Sequence, residues 1–275
     1  INTLIVAFVG IIITTFLGLF IGIARLSNNY LVAKLAGGYI ELFRNIPVLL
    51  QIFFWYNIFI NIFPHPKQSF SFFDIAFLNQ RGLYLPKPIL ESGFSLVIIA
   101  FVVGIILTVF MKRYFNKKHD ETGIYTRTFG YSTLLILGLP AVFFLLLGSP
   151  LSFDLAVLGK FNLKGGMQVV PEFIALTFAL SVYTATYIAE AIRSGIEAVD
   201  KGQKEAAAAI GLTQTQSLKL IVLPQALRVA IPPTINQYLN LTKNSSLATA
   251  IGYPELMSAF GGTVLNQVGQ AVEIL

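Results

Sequence analysis

The chain has 275 residues, 55% of them hydrophobic and only 12% charged, with a mean hydropathy of +0.74. Soluble domains carry about 25% charged residues, so this composition places the chain in a bilayer. The absence of Cys excludes a disulfide framework, a thiolate metal site and a cysteine nucleophile, and the net charge of +6 lies in loops between apolar segments, not in a basic patch interleaved with aromatics, which argues against a nucleic-acid surface.

A helical span needs about 20 largely apolar residues. In chain order the candidates are Thr3–Ala24, Ile46–Phe63, Phe94–Met111, Tyr131–Gly148, Val170–Ala189 and the more polar Val229–Lys243. The chain opens at once in an apolar stretch with no charged leader ahead of it, so no signal peptide is expected. Basic residues mark alternate loops as cytoplasmic. These are Arg25, Lys34 and Arg44; then Lys112, Arg113, Lys117, Lys118 and Arg127; then Arg193, Lys201, Lys204, Lys219 and Arg228. The run Lys112–Lys118 reads as topogenic charge, in preference to a lipid-specific site. The loops Pro64–Gly93 and Ser149–Val169 are less basic for their length and should face outward, as should the amino terminus and the end of the sixth span. His65 and His119 lie far apart in polar loops and read as solvated side chains, so no metal site is expected. The expected architecture is all-α: one polytopic transmembrane helical bundle over 1–275. The tail Ser245–Leu275 is too interrupted for a full span, and an apolar segment starts again at Ala271–Leu275. The chain is therefore expected to lack a final span.

The segment after the fifth span, about 195–224, carries the most specific pattern. It reads Glu205-Ala206-Ala207, then Gly211, then Ile221, Leu223 and Pro224. The alanine run Ala206–Ala209 is a strong helix former, and Gly211 suits the left-handed residue past a helix end. Thr213 with Gln216 predicts a capping box for a second helix, which Pro224 closes or passes on to the next span. Small side chains give the first helix a slim face that allows close approach of a partner. A helical hairpin lying on the membrane surface is the plainer alternative.

This segment resembles, at every signature position, the EAA loop of ABC importer permeases. Seven identities in one fixed frame arise by chance roughly once in 10⁸ start positions at average residue usage. Other stretches resemble the polar amino-acid branch of that family: Tyr39–Pro47 at the second core span, Tyr187–Glu190 with Arg193 before the loop, and Asn240–Leu247 with Ile251-Gly252-Tyr253 near the end. Leu85-Pro86-Lys87-Pro88 and the extra pair of spans at about 94–148 resemble the general L-amino-acid permeases. The resemblance implies a type I importer permease fold in a bacterial inner membrane. It implies that the loop docks on a separate ATPase dimer, which uses ATP and Mg while this chain binds no cofactor. It further implies a second permease subunit (the same or a related chain), a periplasmic amino-acid-binding protein, and L-amino acids as substrate.

Two polar sets are candidates for the substrate pathway. In the sixth span Asn236, Asn240 and Lys243 or Asn244 share a face, with Gln237 beside them. Polar groups facing lipid are costly, so this stripe either lines a water-filled path or glues helices together. In the fifth span Tyr183, Tyr187 and Glu190 share a face next to Thr184. Glu190 either meets a substrate cation or pairs with Arg193 three residues on, and the tyrosines fit an interfacial belt equally well. Glu41 and Arg44, also three apart, read as a juxtamembrane ion pair; the family resemblance implies a gating elbow there. No G-x-x-x-x-G-K-[ST] loop, nucleophile elbow or H-E-x-x-H is present, so no catalytic residues are expected. An ion-coupled secondary transporter would need inverted halves and mid-span carboxylates, and the first four spans contain no Asp or Glu. A non-transporting scaffold is the third reading.

Overall fold

The structure is a computed structural model that describes residues 1–123, 128–159 and 162–256. The expectations for Arg127 and Ala271–Leu275 fall outside those residues. Helices dominate: α1 Asn2–Arg25, α2 Tyr30–Asn45, α3 Val48–Asn61, α4 Phe94–Thr122, α5 Phe129–Thr133, α6 Leu139–Leu146, α7 Pro171–Glu197, α8 Lys201–Ala209, α9 Gln214–Ser217 and α10 Leu223–Asn244. Short strands occupy the two loops expected to face outward: β1 Phe70–Phe72, β2 Ala76–Asn79, β3 Gly82–Leu85, β4 Lys87–Leu90, β5 Leu151–Asp154, β6 Val157–Leu158, β7 Leu163–Lys164 and β8 Met167–Val169. They pair as β1-β2-β3-β8, β4-β5 and β6-β7.

The chain divides into two compact units, 1–70 with 78–83 and 168–275, and 71–77 with 84–167. The second holds the extra pair of spans. There α4 and α6 pack together, and Gly104 lets the backbones meet because a Cβ at that position would collide with the carbonyl of Leu135. In the same unit β4 lies antiparallel to β5 with Lys87 opposite Asp154, and Tyr84, Ala156 and Leu163 form a small core beside Phe77.

In the first unit α7 is the central post. Most of its residues between Pro171 and Ala191 are small or apolar and buried, with Tyr183, Tyr187 and Glu190 on a less buried side. The helices α1, α2, α3 and α10 pack on it. On α1 the contact is a stripe of small residues four apart, Gly10, Thr14, Gly18 and Gly22, all buried. A Cβ on Gly18 would sit 2.8 Å from Ile188, and one on Gly22 2.9 Å from the Ala189 carbonyl oxygen. Lipid tails supply no hydrophobic drive between helices, so close backbone approach is what holds such a pair together. The contacts step in the same direction along both helices, from Gly10–Ser181 to Gly22–Ile192, so α1 and α7 run parallel. The contacts of α10 step the other way, from Ala226 and Ala230 at Gly195 to Leu241 at Gly10, so it runs antiparallel to both. Asn2 Nδ2 donates to the Pro254 carbonyl, which puts the start of α1 and the end of the described chain at one end of the unit.

Among the described residues, five helical stretches are long and apolar enough to cross a membrane, or six if one bent pair counts as a span. The first expected span matches α1, but the others need correction. The second is not a simple span over Ile46–Phe63. Residues expected to form a loop make α2, which meets α3 at a 101° bend across Ile46-Pro47. The third continues beyond Met111, because the polar residues up to Thr122 stay helical in α4. The fourth runs from Phe129 to Leu146 with a π-helical segment, Leu134–Gly138. The fifth extends past Ala189 to Glu197. The sixth starts much earlier. Gln214–Ile251 is one helical run of 38 residues that includes α9, a π segment Leu218–Val222, α10 and a closing 3-10 turn. Each π segment comes just before a proline, Pro140 or Pro224. A proline has no N–H to give the preceding turn and its ring crowds the carbonyl four residues back; the wider turn absorbs both. Pro232 and Pro233, expected to break the sixth span, lie inside α10 without ending it. The carbonyls they leave free belong to Arg228 and Val229, which are exposed in the single chain.

Candidate functional site

The segment at 195–224 folds as its local chemistry dictates. Asp200 caps α8 by accepting from the Gly202 N–H at 2.6 Å. The helix ends at Ala209, and Gly211 takes a left-handed φ of +81°, which an L side chain adopts only with strain. Thr213 and Gln216 then form the expected capping box at the head of α9. Of the alanines, Ala207 alone is buried; Glu205, Ala206, Ala208, Ala209 and Ile210 are exposed. The result is a short, slim helix held at both ends: by α7 through Val199, packed with Val222 and Ala226, and by α9 through the tight turn. A groove of about 310 Å³ lies between α8 and α9, lined by Lys204, Ala208, Leu212, Ser217 and Leu218 among others. Ile221 is half-buried, and Leu223 and Pro224 are exposed at the junction with α10. The sequence reading misses the main mechanical fact, that α9 and α10 are continuous. The run that begins at α9 is 38 residues long.

The fifth-span residues fall into two groups. Thr184 is buried in this chain's own packing, away from the tyrosines. Tyr183, Tyr187 and Glu190 form the less buried stripe of α7. The two tyrosine hydroxyls lie 2.9 Å apart with their rings edge to face. Glu190 accepts from Arg193 Nε at 3.1 Å, and Arg193 also bonds Glu197, so the carboxylate is held within its own helix. The expected Glu41–Arg44 ion pair is not formed. Arg44 reaches across to α7 instead, its guanidinium carbon 4.9 Å from the centre of the Tyr187 ring. Leaving the long side chain on an aromatic face satisfies the cation without bending it back along α2.

The sixth-span stripe stays on one side of α10. Its Asn236, Asn240 and Lys243 are exposed, and Gln237 and Asn244 are half-buried. The opposite side seats Leu241 under Gly10 and places the Tyr238 hydroxyl 2.8 Å from Thr15 Oγ1. Tyr238 and Gln51 are polar residues that sequence reasoning passes over. Gln51, 3% exposed, sits in the first turn of α3 and donates to the carbonyls of Phe43 at 2.7 Å and Ile46 at 2.9 Å. These are carbonyls a helix end leaves unpaired, so Gln51 is a cap supplied from across the bend. A glutamine just after Ile-Pro in an apolar run was the available signal. Among the described residues no cluster of three or more His, Cys, Asp or Glu could hold a metal ion.

Parallel and antiparallel apolar helices around a central post, with an exposed capped helix on one loop, define a polytopic membrane subunit. Residues 123–271 match the family described as binding-protein-dependent transport system inner membrane component. The chain is 53% identical over 275 residues to the putative amino-acid ABC transporter permease protein YhdX of Escherichia coli K12, covering all of this chain and 70% of that protein. It is 52% identical to the general L-amino acid transport system permease protein AapQ of Rhizobium johnstonii, covering all of this chain and 68% of that one. A crystal structure of an amino acid ABC transporter with histidines shares the fold, with a TM-score of 0.52 at 20% identity over 98% of this chain and 78% of that one. The chain belongs to the inner membrane components of binding-protein-dependent transport systems, and is a permease subunit of the ABC-transporter kind.

Proposed function

We propose that this chain forms the translocation pathway of an ATP-driven importer of L-amino acids in a bacterial inner membrane. The observation that carries the reading is α8: an exposed helix of small residues, fixed by a cap and a left-handed glycine, and joined by one tight turn to a membrane-length helix. A partner ATPase dimer seats α8, with Glu205, Ala206, Ala207 and Gly211 forming the contact and Ile221, Leu223 and Pro224 passing the motion into α10. ATP and Mg belong to that partner. A second permease subunit, identical or related, completes the pathway, and a periplasmic binding protein delivers the amino acid. Tyr183, Tyr187, Asn236, Asn240 and Lys243 line the path, with Thr184, Gln237, Glu190 and Asn244 behind them. The high identity to permeases named for amino acids supports the substrate class.

Co-purification tests the docking. The native chain should capture its ATPase from detergent. Glu205→Arg with Gly211→Asp should lose it, because one change reverses a charge on the exposed helix and the other puts a side chain at φ +81°. Capture that survives the double change would rule out α8 as the docking element.

A further inference from the structure

We infer that the β4–β5 ribbon lies on the lipid bilayer, with its apolar face set among the headgroups at the outer end of α4 and α6. Partners in an antiparallel pair point to the same face, and neighbours along a strand to opposite faces. The register, Pro88 opposite Phe153 and Leu90 opposite Leu151, therefore gathers four apolar side chains on one face. The other face carries Lys87, Ser152 and Asp154 with Ile89. Asp154 ties that face to the rest of its unit by accepting from the Gly166 N–H at 3.1 Å. A ribbon built for water covers its apolar face and wets its polar one. Here the arrangement is reversed: Phe153 is 57% and Leu90 59% exposed, and Pro88 is exposed as well, while Ser152 and Asp154 are half-buried.

What covers the bare face follows from where the ribbon is attached. Leu90 is four residues ahead of Phe94, which begins α4, and Leu151 is five past Leu146, which ends α6. The apolar part of α4, Phe94 to Met111, is about 27 Å long at 1.5 Å per residue, close to a hydrocarbon thickness of about 30 Å. Phe94 then stands at one boundary of the hydrocarbon, and the basic residues from Lys112 onward at the other, cytoplasmic one. Only 17% of the α4 span and 6% of the span through α6 are buried within the chain. Both helices bring bare apolar surface up to the ribbon, and α6 ends in Leu145 and Leu146, 72% and 77% exposed. The ribbon continues that lipid-facing surface. Each junction turns sharply. The Phe94 N–H donates to the Glu91 carbonyl at 3.1 Å around Gly93 at φ +103°, and past α6 both Gly148 and Ser149 are left-handed, at +73° and +59°. The ribbon thus turns off both helix axes at the boundary. Its two strands have unpaired outer edges, which wet headgroups satisfy and hydrocarbon does not.

The chain contains no Cys, so single cysteines can be introduced and spin-labelled without background. The full-length permease is placed in vesicles of phosphatidylethanolamine and phosphatidylglycerol. Collisions of the label with oxygen, which concentrates in lipid, are compared with collisions with a water-soluble nickel chelate. Labels at Leu90→Cys and Phe153→Cys should resemble one at Ile99→Cys, an exposed position on α4: oxygen favoured and nickel collisions lost. A label at Lys87→Cys, on the opposite face, should keep its nickel collisions. Nickel access at 90 and 153 equal to that at 87 puts the face in water and overturns the inference. Loss of collisions with both reagents shows that protein covers the face, and overturns it too. So does nickel access that disappears only when the binding protein is added, which makes the face a protein-docking surface. The unsubstituted chain gives an independent reading. A photoactivated carbene carried at the headgroup level of a phospholipid should attach at residues 88–90 and 151–153, and attachment confined to the helices overturns the inference without any variant.

Discussion

Gly18 and Gly22 let α1 lie directly on α7, and there is no room for anything larger. Gly18→Leu should therefore lower the melting temperature of the purified chain in detergent, by an overpacking cost of about 1–3 kcal/mol. A change of the exposed Phe16 to Leu should cost far less, because that side chain meets no core residue. At this scale the sequence is readable wherever the chemistry is local. Thr213 with Gln216, Gly211 past the alanine run, and Glu190 with Arg193 all depend on partners within four residues, and all take the expected geometry. Arg44 shows the limit. A partner three residues away competes with an aromatic ring on another helix, and only the fold brings that ring within 4.9 Å.

Between elements, hydropathy finds the apolar centre of each helix but not its ends. Residues 30–45 and 112–122 are too polar to read as span, yet the first form the separate helix α2 and the second prolong α4. The double proline in α10 misleads for the opposite reason: propensity in water penalises it, while a packed membrane helix tolerates it. The bend between α2 and α3 depends on Gln51. Gln51→Leu should remove the cap on Phe43 and Ile46, loosen the bend, and destabilise the chain by about 1–3 kcal/mol, the cost of stranding buried carbonyls. Hydrogen exchange at residues 43–51 should rise specifically, and uniform protection there would show that the bend holds without the amide. The π segment before Pro224 makes a parallel case. Pro224→Ala should let a regular α-helix form through 218–222, turning everything before it relative to α10 and weakening ATPase-driven uptake without unfolding the chain. Uptake equal to native would show that the register of this helix does not matter for coupling.

The first unit is a central post, α7, with α8 attached to its end. The unit built on α7 fixes the relation of α1 and α10, and α8 is the part of it left outside, clamped at both ends. The apolar centres of the helices were readable because the bilayer sets their length. The continuity of α9 with α10 was not readable, since Pro224 looks like a stop until the π turn before it is seen. The proposed import function requires energy to arrive at α8 from nucleotide turnover in a partner. The most direct test is uptake of a labelled L-amino acid into proteoliposomes holding the complete importer, with the binding protein on the outer face of the permease. Uptake should require ATP on the side of α8 and should be indifferent to an imposed proton or sodium gradient. Accumulation driven by such a gradient without ATP would contradict the account and point to an ion-coupled transporter.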